Sequence, residues 1–130
     1  MNGGCFCGFV RYEVGGVPTE RTTCHCSICR RTTGAPHVTW FTVRRDAFSL
    51  TAGTPATFRS SDHAVRSFCP RCGAQLAFAS SHFPDELDVT VCSLDDPGAV
   101  PPADHTFAAS RVSWDLICDG LRAYPDGRTR

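Results

Sequence analysis

Lysine is absent from this 130-residue chain, and all thirteen basic residues are arginine. That excludes every mechanism built on a lysine Schiff base. It leaves planar, fork-shaped cations suited to carboxylates. A charge excess is missing too: thirteen bases meet thirteen acids for a formal net charge of zero. A general electrostatic grip on nucleic acid, which shows as a basic excess, is therefore not expected. No apolar run approaches the ~18–20 residues of a membrane span, so no membrane partner is expected. Met1-Asn2-Gly3-Gly4 lacks the charged-then-apolar pattern of a secretion signal. There is no internal repeat, linker or low-complexity stretch. With 42% hydrophobic and 20% charged residues, residues 1–130 read as one ordinary globular domain.

What is abundant is cysteine. Seven of the nine fall in three tight groups: Cys5-Phe6-Cys7, Cys24-His25-Cys26-Ser27-Ile28-Cys29 and Cys69-Pro70-Arg71-Cys72-Gly73. The odd total and the absent signal argue against a disulfide scaffold and for thiolates on metal in a reducing cytoplasm. A closed structural zinc takes four such ligands, while a reactive zinc keeps three and one open position. Cys69 and Cys72 have the form of a zinc knuckle, with Gly73 free to take the positive φ that leaves the turn. Cys5 and Cys7, two apart on a strand, point to one side. Cys24, Cys26 and Cys29 put three sulfurs within six residues, and His25, lying between ligands, is expected to point away. Spacing leaves two pairings open. Cys26, Cys29, Cys69 and Cys72 would make a ribbon of two knuckles; Cys5, Cys7, Cys69 and Cys72 would leave the contiguous group as the open site.

The remaining pattern is one of short strands: Phe9–Val14, His37–Arg44, Phe48–Thr51, Ala56–Ser60, Val65–Phe68, Gln75–Ala79 and Leu87–Val91, with weaker signals at Thr106–Ala109 and Ser113–Cys118. Gly53-Thr54-Pro55, Pro84-Asp85 and Pro97-Gly98 punctuate them. Only Ser27–Thr33 reads as helix. Asp95–Asp104 is a Pro-rich surface connection. Tyr12, Trp40, Phe41 and Trp114 are assigned to the core or a pocket wall, with the core favoured, and Cys92 and Cys118 to small apolar core positions.

These residues carry a resemblance. Gly3-Gly4-Cys5-Phe6-Cys7-Gly8 with Val10-Arg11-Tyr12, Cys24 through Arg31 with Gly34-Ala35-Pro36, and Phe68 through Gly73 resemble the glutathione-dependent formaldehyde-activating enzyme family, which includes centromere protein V. Ser93-Leu94-Asp95-Asp96-Pro97, His105, Ser110-Arg111, Trp114, Asp119-Gly120-Leu121 and Tyr124-Pro125 extend the match in order. The resemblance implies a mainly β, tent-like zinc domain of short antiparallel strands. It also implies two zinc ions, a structural one on Cys5, Cys7, Cys69 and Cys72 and a catalytic one on Cys24, Cys26 and Cys29. Cys92 departs from the Gly or Ala usual there, and as a fourth ligand it would close the second site.

The implied function is that of a zinc-dependent carbon–sulfur lyase, with glutathione or a similar thiol as cosubstrate and formaldehyde or another small aldehyde as its partner. Arg30 and Arg31, directly after Cys29, are candidates for the thiol's carboxylates. His37, His105 and Asp95 are the candidates for proton transfer. The alternative is a non-catalytic zinc-stabilised module that docks a protein. A thioredoxin-like reading of Cys26-Ser27-Ile28-Cys29 lacks the surrounding βαβ pattern.

Overall fold

Val10, Tyr12 and Val14 alternate with Arg11 and Glu13, and burial follows: the first three are at most 1% exposed. The same period-two logic sets most of the molecule, seen over residues 1–128 in a computed structural model. The strands are β1 (Asn2–Gly4), β2 (Arg11–Val14), β3 (Thr19–Cys24), β4 (Val38–Arg44), β5 (Phe48–Ala52), β6 (Ala56–Ser61), β7 (Ala64–Phe68), β8 (Gln75–Ser80), β9 (Glu86–Thr90), β10 (Asp104–Thr106) and β11 (Arg122–Ala123). A helix, α1 (Ser27–Thr33), lies between β3 and β4.

Strands β1, β2 and β5 form a small sheet, and the other eight form a large one in the order β11-β10-β3-β4-β9-β8-β7-β6. The fold is mainly β, as expected. Its pairing is antiparallel except at one edge, where β10 runs parallel to both β3 and β11. Tyr12 and Val14 on the small sheet, with Val10 just before it, pack with Phe41, Val43, Leu76 and Val89 of the large sheet to make the main core. Tyr12 stacks on Phe48 at 5.0 Å and shares a 2.7 Å hydrogen bond with Ser93 Oγ. Burial of the ring pushes its phenol up to about 12.

Most expected strands are present within a residue or two. Strand β3 is the principal addition: Thr19-Glu20-Arg21-Thr22-Thr23-Cys24 has no apolar alternation, and only its last two residues are buried. The expected strand Ser113–Cys118 does not form, and its stretch is turn and bend. Trp114 and Leu116 there are 71% and 72% exposed. Trp114 is therefore not a core residue, because its segment has no sheet edge to pair with. Cys92 and Cys118 are likewise exposed rather than core. Cys92 falls in the 3-10 turn Val91–Ser93, where the strand alternation that would have buried it has ended.

Candidate metal and thiol site

Two turns bring four sulfurs together. Cys5 N–H donates to Val10 O, closing one turn, and Cys69 N–H donates to Ala74 O in the other. Gly73 takes φ +78°, the left-handed backbone needed to leave the second turn. Cys5 and Cys7 sulfurs are 3.6 Å apart, and Cys7 and Cys69 sulfurs 3.7 Å. Tetrahedral thiolates at ~2.3 Å from zinc are about 3.8 Å from each other, so the spacing suits that ion. Backbone N–H groups of Val10, Arg71 and Cys72 point at the buried sulfurs of Cys5 and Cys69 at 3.3–3.4 Å. The backbone N–H groups of Cys7 and Ala74 help bring Cys72 down to about 6. All four ligand atoms lie within 4.8 Å of one another, so the group could hold a metal ion.

The second group is built by the junction of β3 and α1. Cys24 ends the strand; Cys26 is the helix N-cap, its sulfur accepting from Cys29 N–H at 3.3 Å. Gly34, at φ +72°, ends the helix in the left-handed conformation. The three sulfurs again lie within 4.8 Å of one another. Hydrogen bonds from Cys24 and Cys29 hold the Cys26 thiol down to about 2, and the same contacts push Cys24 up. Cys92 is not among these ligands, so nothing from it closes the set.

Sheet register decides what faces this group. Thr42 pairs with Asp88, Asp88 with Phe78, and Phe78 with Arg66, so one row crosses four strands on the face that carries Cys24 and Trp40. A cavity of about 640 Å³ opens over it, lined by the three cysteines, Trp40, Phe78 and Arg66 among others. Arg66 is 5% exposed and sits 5.1 Å above the Phe78 ring and 5.9 Å from that of Trp40. Two of its nitrogens reach 3.8 and 3.9 Å from Cys29 Sγ, while Nε has no hydrogen-bond partner. His63 and His82 stack at 4.3 Å, nearly parallel, and also line the cavity.

The sequence-expected polar residues lie elsewhere. Arg30 donates to Ser110 O at 2.7 Å, and neither it nor Arg31 lines the cavity. Asp95 forms a two-pronged exposed ion pair with Arg11. His37 and His105 line a separate cavity of about 300 Å³ with Thr23, His25 and Thr39. The reason is strand alternation: Thr22 and Cys24 face one side of β3, Thr23 and the following His25 the other. From sequence His63 and His82, in polar loop contexts, rank below His37 and His105 as proton-transfer candidates, yet they are the pair that lines this cavity. The positions missed altogether are Arg66, whose place depends on register, and Asp115, which follows an exposed Trp114.

On the second face, His25 is 1% exposed. Its Nε2 is 2.9 Å from His105 Nδ1, and His105 Nε2 is 2.8 Å from Asp119 Oδ2. The Leu121 N–H and then His105 hold the Asp119 carboxyl below the usual range, so it is an acceptor. In the tautomer where His105 donates from Nε2 to Asp119 and accepts at Nδ1 from His25 Nε2–H, His25 Nδ1 carries no proton. Burial, then the neighbouring His37 and His105, pushes His25 below its ordinary value. His37 Nδ1 donates to Asp115 Oδ2 at 2.7 Å.

The family model for "Glutathione-dependent formaldehyde-activating enzyme" matches residues 1–110. A crystal structure of a Rhodobacter sphaeroides protein is similar, with a TM-score of 0.63 and 30% sequence identity, covering 78% of this chain and 98% of that one.

Proposed function

The chain belongs to the glutathione-dependent formaldehyde-activating enzyme family, and from that premise we propose that it is a zinc-dependent carbon–sulfur lyase acting on a glutathione-type thiol and formaldehyde. The observation that carries this reading is the meeting of three sulfurs, a buried arginine and a roomy cavity on one face of the large sheet. Cys5, Cys7, Cys69 and Cys72 would hold one zinc as a structural ion. Cys24, Cys26 and Cys29 would hold the second. When bound there, that ion supplies an exchangeable position that favours the thiolate form of an incoming thiol.

The chain's own residues supply the rest. Arg66, buried beside Cys29 and over two aromatic rings, places a fixed positive charge where thiolate charge gathers. Trp40 and Phe78 wall the site and exclude water. The chemistry is addition of S–H across C=O: sulfur bonds to the aldehyde carbon, its proton leaves, and the carbonyl oxygen gains one. The product is an S-hydroxymethyl thiol, and the reverse step cleaves it. Among the groups lining this cavity, the stacked imidazoles of His63 and His82 are the candidates for carrying that proton. Seven of nine cysteines gathered into groups that could hold metal would suit a reducing cytoplasm. No described helix is long and apolar enough to cross a membrane.

Two measurements test the proposal. Zinc-loaded protein should bind glutathione by calorimetry, and it should raise the rate of S-hydroxymethylglutathione formation from ¹³C-formaldehyde, followed by NMR. No binding and no rate above the spontaneous reaction would sink it.

A further inference from the structure

The face opposite Cys24, at the end of β3, carries a third set of metal donors. His25 Nδ1, His37 and Asp115 place three ligand atoms within 4.8 Å of one another. His25 Nδ1 is fully buried and has no hydrogen-bond partner. It lies 3.4 Å from Asp115 Oδ2, outside hydrogen-bonding geometry. A buried ring nitrogen with no hydrogen-bond partner, set beside a carboxylate oxygen and a second imidazole, is costly unless a cation sits among them.

We propose that His25 Nδ1, His37 Nδ1 and Asp115 Oδ2 form a third cation site, for a divalent first-row transition metal of the zinc or cobalt type. Two imidazoles and one carboxylate are a donor set such ions take, commonly with further positions left open. Ligands at ~2.0–2.1 Å in a tetrahedron are about 3.3–3.4 Å apart. The His25–Asp115 spacing already has that value. His37 and Asp115, at 2.7 Å, need only trade their hydrogen bond for two metal bonds. The His37 proton then passes through water to Nε2, and the ring is partly exposed with 39% of its side chain open to solvent.

The outer layer matches as well. A histidine ligand normally donates its second ring N–H to an acceptor that fixes its tautomer. Here His25 Nε2–H donates to His105, which in turn donates to Asp119. That chain holds His25 in the one tautomer whose Nδ1 can ligate. Leu116 and Ile117 line the same cavity. The site is separate from the sulfur groups and stands whether or not the lyase reading holds. Bound metal would tie Asp115, in a stretch with no strand or helix, to the adjoining ends of β3 and β4.

The test uses full-length protein loaded with cobalt, with metal content measured by mass spectrometry. His37→Gln and Asp115→Asn avoid the buried His25, whose loss risks the fold. Each should lower the bound metal by one equivalent and weaken uptake at that site by at least about a hundredfold. Thiolate-to-cobalt charge-transfer absorption and far-UV circular dichroism should stay as in the parent. ¹⁵N NMR of protein loaded with only two zinc equivalents, enough for the two sulfur groups, should show His25 Nδ1 unprotonated. Unchanged stoichiometry in both variants, or a protonated Nδ1 with no such metal uptake, would overturn the proposal.

Discussion

Cys24 and His25 are consecutive residues that serve opposite faces of one sheet. Cys24 lines the large cavity and His25 the smaller one. The peptide between them is held by β10, with His25 N–H donating to Thr106 O at 3.0 Å. One backbone segment thus supports a sulfur site and an imidazole cluster that share no ligand.

The two sulfur groups should respond differently to loss of one ligand. Cys69 is 0% exposed and belongs to the main core cluster, so Cys69→Ser should release metal and unfold the chain, since metal affinity there is folding energy. Cys26→Ser should lose one metal equivalent and glutathione binding while keeping the fold. Zinc analysis with circular dichroism reads both. A folded Cys69→Ser protein at full metal content contradicts the assignment.

Arg66→Met tests the buried cation. Methionine keeps an unbranched apolar stem against Trp40 and Phe78 but removes the charge beside Cys29. Charge-assisted hydrogen bonds contribute about 1.5–3 kcal/mol, so thiol affinity or turnover should fall at least about tenfold. Calorimetry on the variant decides it, and an unchanged affinity and rate removes Arg66 from the site.

How far these groups were readable in sequence follows from their range in the chain. The helix Ser27–Thr33 and both cysteine knuckles are encoded by a few adjacent residues, so spacing located them. Strand β3 escaped notice because its threonines have no apolar alternation; its place comes from β4 and β10 on either side. Arg66 reaches Cys29 only through the pairing of four other strands, which composition does not record. His37 and His105 were visible as titratable residues, but which face they share depends on an alternation that starts in the unrecognised strand. Trp114 carried a core signal and lies exposed because apolar character alone supplies no packing partner.

Gly53→Ala should destabilise more than an ordinary loop change. Gly53 has φ +69°, and an added Cβ would stand 2.1 Å from Phe9 O, a backbone atom that cannot swing aside. Positive φ alone costs about 1–3 kcal/mol for a side-chain-bearing residue, and the clash adds to it. A fall in denaturation free energy of more than about 2 kcal/mol is expected. A shift within error would mean the turn relaxes freely.

Tyr12 should make the chain sensitive to alkali. Its phenol is raised to about 12 in the folded protein by burial, against ~10 when unfolded. The unfolded chain therefore loses that proton first, and stability falls as pH rises through this window. The two-unit gap corresponds to roughly 2–3 kcal/mol. Tyr12→Phe should flatten the slope of stability against pH between about 10 and 12. Equal slopes in the two proteins would exclude the ring as the source.

The four-sulfur knuckle also imposes an order on synthesis. Cys7 and Cys69, whose sulfurs touch, are 62 residues apart. At ~5–20 residues per second, the first thiol pair leaves the ribosome roughly 3–12 s before its partners exist. During that interval Cys5 and Cys7 are a dithiol with no completed site to enter. Oxidation in those seconds would cap a pair that the finished fold needs reduced, so the growing chain is more vulnerable to its redox surroundings than the folded protein.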